Sequence, residues 1–225
     1  MRDINVDVVM CIDGSAGMNP IIDEFKANAS SLFNKVIDKI EETGTYISSF
    51  RIKVIVFRDY GCDVEPMVES QFYTLPDQND NFRDFVNSIE AKGGGDCPEN
   101  ALEAIALALK SDWTTEGSKR RHIVFVFSDA PALPLGERSD SMNYPSGMPA
   151  DLKQLEAWWH GMDPSFDSTY QLPAGRMVAF VPYDETWSQF EYWNRYYSVY
   201  VREGSGLSEI DFQSLIDLFG MRFEM

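Results

Sequence analysis

The sequence predicts an α/β fold, doubly wound: a mostly parallel central sheet with one short antiparallel edge strand and helices on both faces. Three observations lead there. Apolar, β-branched runs alternate with runs of helical period, the βαβ order that builds parallel sheets. The run "HIVFVF" at 122–127 is continuously apolar, as a strand covered on both faces requires. The chain has 225 residues, 44% of them hydrophobic, which is enough for one large core. A single domain over 1–225 is expected, with a long irregular loop at about 130–150.

The elements follow in order. "INVDVVMCI" (4–12) is the first strand. Helix 20–42 comes next, with Ile21, Ile22, Phe25, Ala29, Leu32, Phe33, Val36, Ile37 and Ile40 at helical spacing and Gly44 beyond its end. "FRIKVIVF" (50–57) is the second strand, and "QFYTL" (71–75), short and followed by Pro76, is the edge strand. Helices are expected at 80–91 and 99–111, then the strand at 122–127. "RMVAFV" (176–181) and "YSVYV" (197–201) complete the sheet, and helix 207–219 closes the chain behind a Ser208 cap. The stretch at 130–150 holds four prolines and exceeds an ordinary connection, a length that usually carries function. Helix 150–161 ends in "AWWHG", more aromatic than a solvated helix needs; packing against the long loop and a partner-binding patch both account for it.

A net charge of −17 sets nucleic acid and anionic membrane aside as partners and suits basic protein surfaces or cations, although solubility alone also explains much of it. Cys11, Cys62 and Cys97 are odd in number and form no C-x-x-C pair, so neither a disulfide framework nor a zinc site is expected. The first residues carry acids inside their apolar run, unlike a signal peptide, and no stretch approaches the roughly 18 apolar residues of a membrane span. A cytoplasmic setting is expected.

Ligands of open α/β sheets bind beyond the carboxyl ends of the strands. There the sequence offers Asp13 and Ser15 in "CIDGSAGM", Asp59 in "RDY", Asp96 and Glu99 in "GGGDCPE", and Ser128 with Asp129. Carboxylates gathered this way repel one another and rise in pKa unless a cation neutralises them. The donors are oxygens, without histidine or a clear thiolate, which favours Mg²⁺, Mn²⁺ or Ca²⁺ over zinc. Asp96 has a rival role as the cap of the helix that begins near Pro98.

Two enzyme classes meet missing residues. A serine hydrolase built on Ser15 needs a glycine at position 13 and a histidine late in the chain; the histidines are His122 and His160. A receiver or haloacid-dehalogenase-type phosphatase needs a lysine in a later loop, and none follows Lys153; the phosphatase also wants an aspartate where Ser15 stands. No catalytic residue is assigned and a non-enzyme is expected.

In order, and over nearly the whole chain, "VVMCIDGSAGM", "VIVFRDY", "GGGDCPENALEAI" and "HIVFVFSDAP" resemble a von Willebrand factor type A (vWA, integrin I-like) domain, a Rossmann-like fold. The resemblance implies a metal-ion-dependent adhesion site. Its D-x-S-x-S loop matches Asp13 and Ser15, its third-loop aspartate matches Asp129, and on the integrin β-subunit pattern Glu99 is the middle ligand. On that pattern Asp59, Asp96 and the Pro98 carbonyl fall where a second ion is held. Gly17 replaces the second serine of the motif, so a hydroxyl ligand is missing. A third ion is not expected, because Pro20 and Ile21 stand where acids are needed.

The family completes the metal shell with a carboxylate from a partner protein, and its last helix can shift on occupancy. The "FRDY" and "GGGD-x-PE" stretches further resemble bacterial components found with protein kinases and PP2C-type phosphatases in stress or defence systems. Two readings stay open: a metal-dependent protein-binding module using Mg²⁺, Mn²⁺ or Ca²⁺, and one with a degenerate site that binds through loops and aromatic residues.

Overall fold

The computed structural model describes residues 2–42, 44–94, 98–170 and 174–223. At the centre, β1 (Arg2–Asp13) lies between β2 (Thr45–Phe57) and β5 (Arg120–Phe127), parallel to both. Two further parallel strands, β6 (Gly175–Pro182) and β7 (Tyr196–Val201), extend the sheet beyond β5. On the opposite flank, β3 (Met67–Glu69) and β4 (Tyr73–Leu75) pair antiparallel with different stretches of β2. The seven strands run β3-β2-β1-β5-β6-β7, with β4 also on β2. The edge strand expected at 71–75 is therefore present as β4, and β3 joins it.

Alternation along β1 divides the core into two layers. Ile4, Val6, Val8, Met10 and Ile12 face one layer, where α1 (Asn19–Glu41), α2 (Asn79–Ser88) and α6 (Phe212–Phe223) pack. Val9 and Cys11 face the other, built from α3 (Ala101–Leu109), α4 (Leu152–Trp159) and the single turn α5 (Glu185–Ser188). Asp7 interrupts this apolar strand yet is fully satisfied. Arg51 grips both its oxygens at 2.9 and 2.5 Å, and the Thr114 amide donates at 2.6 Å.

Three expectations shift for physical reasons. Helix 99–111 begins only at Ala101, because Glu99 is extended and pairs with Ala132: its amide donates to Pro131 and its carbonyl accepts from Leu133. The last helix begins at Phe212 rather than 207, capped by Asp211, whose Oδ1 accepts the Ser214 amide at 2.9 Å. The amides of Gly204 and Gly206 are held elsewhere, by Asp129. The "AWWHG" tryptophans belong to the core. Trp159 is fully buried and donates to the Asn194 carbonyl, while Trp158 is buried and stacks on Phe166 at 4.1 Å. Among the described residues, no helix is long and apolar enough to cross a membrane, and neither Cys11 nor Cys62 is in a disulfide; Cys97 lies outside them.

Candidate metal centre

The chain leaves β1 for β2 on one side and later returns to β5 on the other, so the winding reverses beside β1. Such a reversal opens a crevice at the carboxyl ends of the strands. Asp13 is the last residue of β1 and is buried there. Its Oδ1 accepts the Ser15 amide at 2.8 Å and its Oδ2 accepts the Ser128 hydroxyl at 2.8 Å. Burial raises its pKa to about 6 against these hydrogen bonds, and the Asp129 charge adds to the rise.

Glu99 enters from the far side of the crevice and is 1% exposed. Neither of its carboxylate oxygens has a hydrogen-bond partner among the described residues. Burial first, then the charges of Asp13, Asp63 and Asp59, push it up to about 8. A buried carboxylate without donors carries a large desolvation cost, which a proton or a cation offsets. Ser15 shares its cleft. A Cβ added to Gly94 would stand 2.4 Å from Ser15 Cβ and 2.7 Å from Glu99 Oε1, and Gly94 has φ +70°, so glycine is required on both counts.

Asp129 follows β5 and is buried. Its Oδ2 accepts the Gly206 amide at 2.5 Å, and its carbonyl accepts the Gly204 amide at 2.9 Å. The loop ahead of α6 is thereby fastened to the rim. Gly17 borders the same carboxylate: a Cβ there would lie 3.8 Å from Asp129 Oδ2, an ordinary contact distance.

The residues of the expected second ion fare differently. Asp59 is buried and its two oxygens are gripped by Arg138 at 2.9 and 3.0 Å. Burial pushes the Asp59 carboxyl up, but Arg138 and the Gly61 amide outweigh it and hold it below the usual carboxylate value. Pro98 is half-buried ahead of Glu99, and Asp96 lies outside the described residues. Among those residues, no three His, Cys, Asp or Glu side chains form a group ready to hold a metal ion.

Sequence reasoning missed Arg58, Asn100 and Glu103. Arg58 is buried beneath the crevice and donates to four carbonyls, those of Gly14, Lys92, Glu65 and Glu90, at 2.7–3.1 Å. Its place directly after an apolar strand, within the quoted "RDY", was the available signal. Glu103, inside apolar α3, accepts from the Gly136 amide, the Tyr144 hydroxyl and Asn100 Nδ2 at 3.0, 2.9 and 3.1 Å. It straps the 130–150 loop to the helix; an acid amid "ALEAIALAL" was the clue. His122 and His160 stand apart from Ser15. His122 lies near the amino end of β5, bonded to the Thr114 carbonyl and stacked on Trp113, and His160 caps the far end of α4.

A family model for the von Willebrand factor A domain matches residues 7–138, more than half of the chain. The chain belongs to that family. This vWA domain has solved structures of like fold. One is a von Willebrand factor type A protein from Catenulispora acidiphila, 15% identical with a TM-score of 0.54, the match covering 97% of this chain and 43% of that one. Another is the pilus adhesin SpaC from Lactobacillus rhamnosus GG, 10% identical with a TM-score of 0.53, covering 97% of this chain and 30% of the adhesin. The vWA domain thus spans less than half the length of either. No match is found among curated proteins. The vWA family is one of protein-interaction modules, often with a divalent metal at the strand-end rim.

Proposed function

We propose that this vWA domain binds a partner protein through a divalent cation held at the rim by Asp13, Ser15, Glu99 and Asp129, with an acidic group of the partner completing the shell. The observation that carries the reading is Glu99: a buried carboxylate whose two oxygens meet no donor among the described residues, within electrostatic reach of Asp13. An all-oxygen donor set of this kind suits Mg²⁺, Mn²⁺ or Ca²⁺. When bound, the ion supplies positive charge that a carboxylate or phosphate on the partner can meet. The protein's own residues do the rest. Ser128 and the Ser15 amide orient Asp13, Gly206 orients Asp129, and the strapped 130–150 loop borders the contact. A place beside a kinase or PP2C-type phosphatase in a bacterial signalling, stress or defence assembly follows from the sequence resemblance, and a cytoplasmic setting goes with it.

The test is thermal unfolding with and without millimolar Mg²⁺ or Mn²⁺. A rise in Tm that Asp13→Ala abolishes is expected, and pull-down from a lysate should lose its partner in EDTA. Gly17→Ser should tighten ion binding, since the added Cβ fits beside Asp129 without a clash. The second reading is a degenerate site that docks without metal. Gly17 favours it, as does the hold of Gly206 on Asp129 Oδ2. It predicts an unchanged Tm and a pull-down indifferent to EDTA.

A further inference from the structure

Asp59, just past the end of β2, has both carboxylate oxygens bound by one side chain. Arg138 donates from Nε to Oδ1 at 2.9 Å and from Nη2 to Oδ2 at 3.0 Å, and the Gly61 amide adds a bond to Oδ1 at 2.7 Å. The two-pronged fit is the strong, directional form of an arginine–carboxylate pair. The guanidinium lies in a slot kept open by glycine: a Cβ on Gly61 would stand 2.8 Å from Arg138 Nε.

Arg138 reaches this slot from far along the chain, and the framework determines where it arrives. Two residues before it, the Gly136 amide donates to buried Glu103; six residues after it, the Tyr144 hydroxyl donates to the same carboxylate. The Tyr144 ring also packs on Tyr60, next to Asp59, with centroids 5.2 Å apart. A surface pair between flexible side chains contributes little, but one delivered by a pinned loop to a buried carboxylate is held in place without a large entropic cost.

The other groups at this corner are the Cys62 thiol, which bonds Asp59, the Arg58 guanidinium, whose donors are taken by four carbonyls, and two further acids. Asp63 Oδ2 accepts the Asp59 amide at 3.3 Å, and Glu99 lies within electrostatic reach of Asp13, Asp63 and Asp59. Without Arg138, Asp59 and Asp63 would present an anionic corner beside Glu99, an oxygen-rich setting that attracts a hard divalent ion.

We infer that the Arg138 guanidinium is a built-in cation that occupies the position at Asp59 where a second metal ion would sit, so that this corner takes no exchangeable ion. Only the count of ions in the wild type rests on the metal reading of the rim; the occupancy of the Asp59 corner by Arg138 does not.

The experiment counts bound Mn²⁺ by electron paramagnetic resonance of the free ion and by calorimetry, with circular dichroism to verify folding. Arg138→Ala should bind one more Mn²⁺ than the wild type. Arg138→Gln, which keeps a polar side chain to hold the loop, should gain the same ion, and Arg138→Lys should keep the wild-type count. Adding Asp59→Ala to Arg138→Ala should remove the gained ion. If both folded uncharged variants bind as many ions as the wild type, the inference is overturned, as it is if the wild type already holds an ion that Asp59→Ala removes. A wild type that binds none, with one ion gained in Arg138→Ala, sinks the metal reading of the rim and leaves the Arg138 assignment standing.

Discussion

Glu99 combines burial with an absence of donors among the described residues, and its proton affinity carries the consequence. Its pKa is raised to about 8 by burial and then by Asp13, Asp63 and Asp59, and that of Asp13 to about 6 by burial. A carboxyl held above its unfolded value keeps protons that the unfolded chain has released. Its stabilising effect is complete below the unfolded value and is lost as pH rises through the folded one. The ion-free protein should therefore lose Tm between about pH 4.5 and about pH 8, and Glu99→Gln should flatten that decline and raise Tm at the alkaline end. Thermal scans of both proteins in EDTA check it; parallel pH slopes would count against the assignment. The residue types of the rim were legible in the sequence, because Asp13, Ser15, Glu99 and Asp129 stand at the ends of recognisable strands or just before a helix. The donors that surround them were not. Ser128 meets Asp13 across 115 residues and Gly206 meets Asp129 across 77, and such pairings depend on sheet order rather than on local pattern.

At the scale of elements, the 130–150 loop changes character once its anchors are named. Its prolines suggested an irregular connection, yet Glu103, Asp59 and Lys110 each bind it, Lys110 through the carbonyls of Ser146 and Gly147. Glu103→Leu leaves the Asn100 amide group, the Gly136 amide and the Tyr144 hydroxyl without their acceptor, at a cost of about 1–3 kcal/mol for an unsatisfied buried donor. The variant should show faster hydrogen exchange across 134–147 than the wild type, with exchange in β1 and β5 unchanged. Equal exchange in the loop would show that the strap does not depend on Glu103. The parallel strands were legible from continuous apolar runs. β3 and α5 were not: "MVE" and "ETWS" are short and lack the apolar, aromatic run that marked the equally short β4 in "QFYTL". The start of α6 was misplaced because Ser208 mimics a cap, while the backbone at 204 and 206 is drawn to Asp129 instead.

Across the whole molecule, the two core layers divide the work. The α3–α4–α5 layer buries Trp113, Trp159 and Trp187 completely. Trp159→Ala should cost about 3–5 kcal/mol, the usual range for an aromatic truncated in a packed core. Its indole bonds the Asn194 carbonyl, just ahead of β7, and its ring packs on Tyr170 and Trp193 in that layer, so ion affinity should stay at the wild-type value. Denaturant unfolding paired with Mn²⁺ titration checks both halves; a weakened ion site in the folded variant would mean that the layers are coupled. The layering itself was legible, because alternation along β1 divides its side chains between two faces whatever the loops do. Charge behaved differently. The net charge of −17 indicated a class of partner but gave no hint that arginines sit at the centre of the acidic rim.

Among the described residues, the Arg58 side chain grips the chain through its main-chain carbonyls at positions 14, 65, 90 and 92. Every residue has such a carbonyl, so this hold does not depend on the side chains at 65, 90 and 92, and the exposed ion pairs of Lys92 with Glu65 and Glu90 add little to it. The exposed side chains at these positions can therefore change without loosening the loops that Arg58 holds. Mutational tolerance at 65, 90 and 92 beside intolerance at 58 is the evolutionary signature this arrangement leaves.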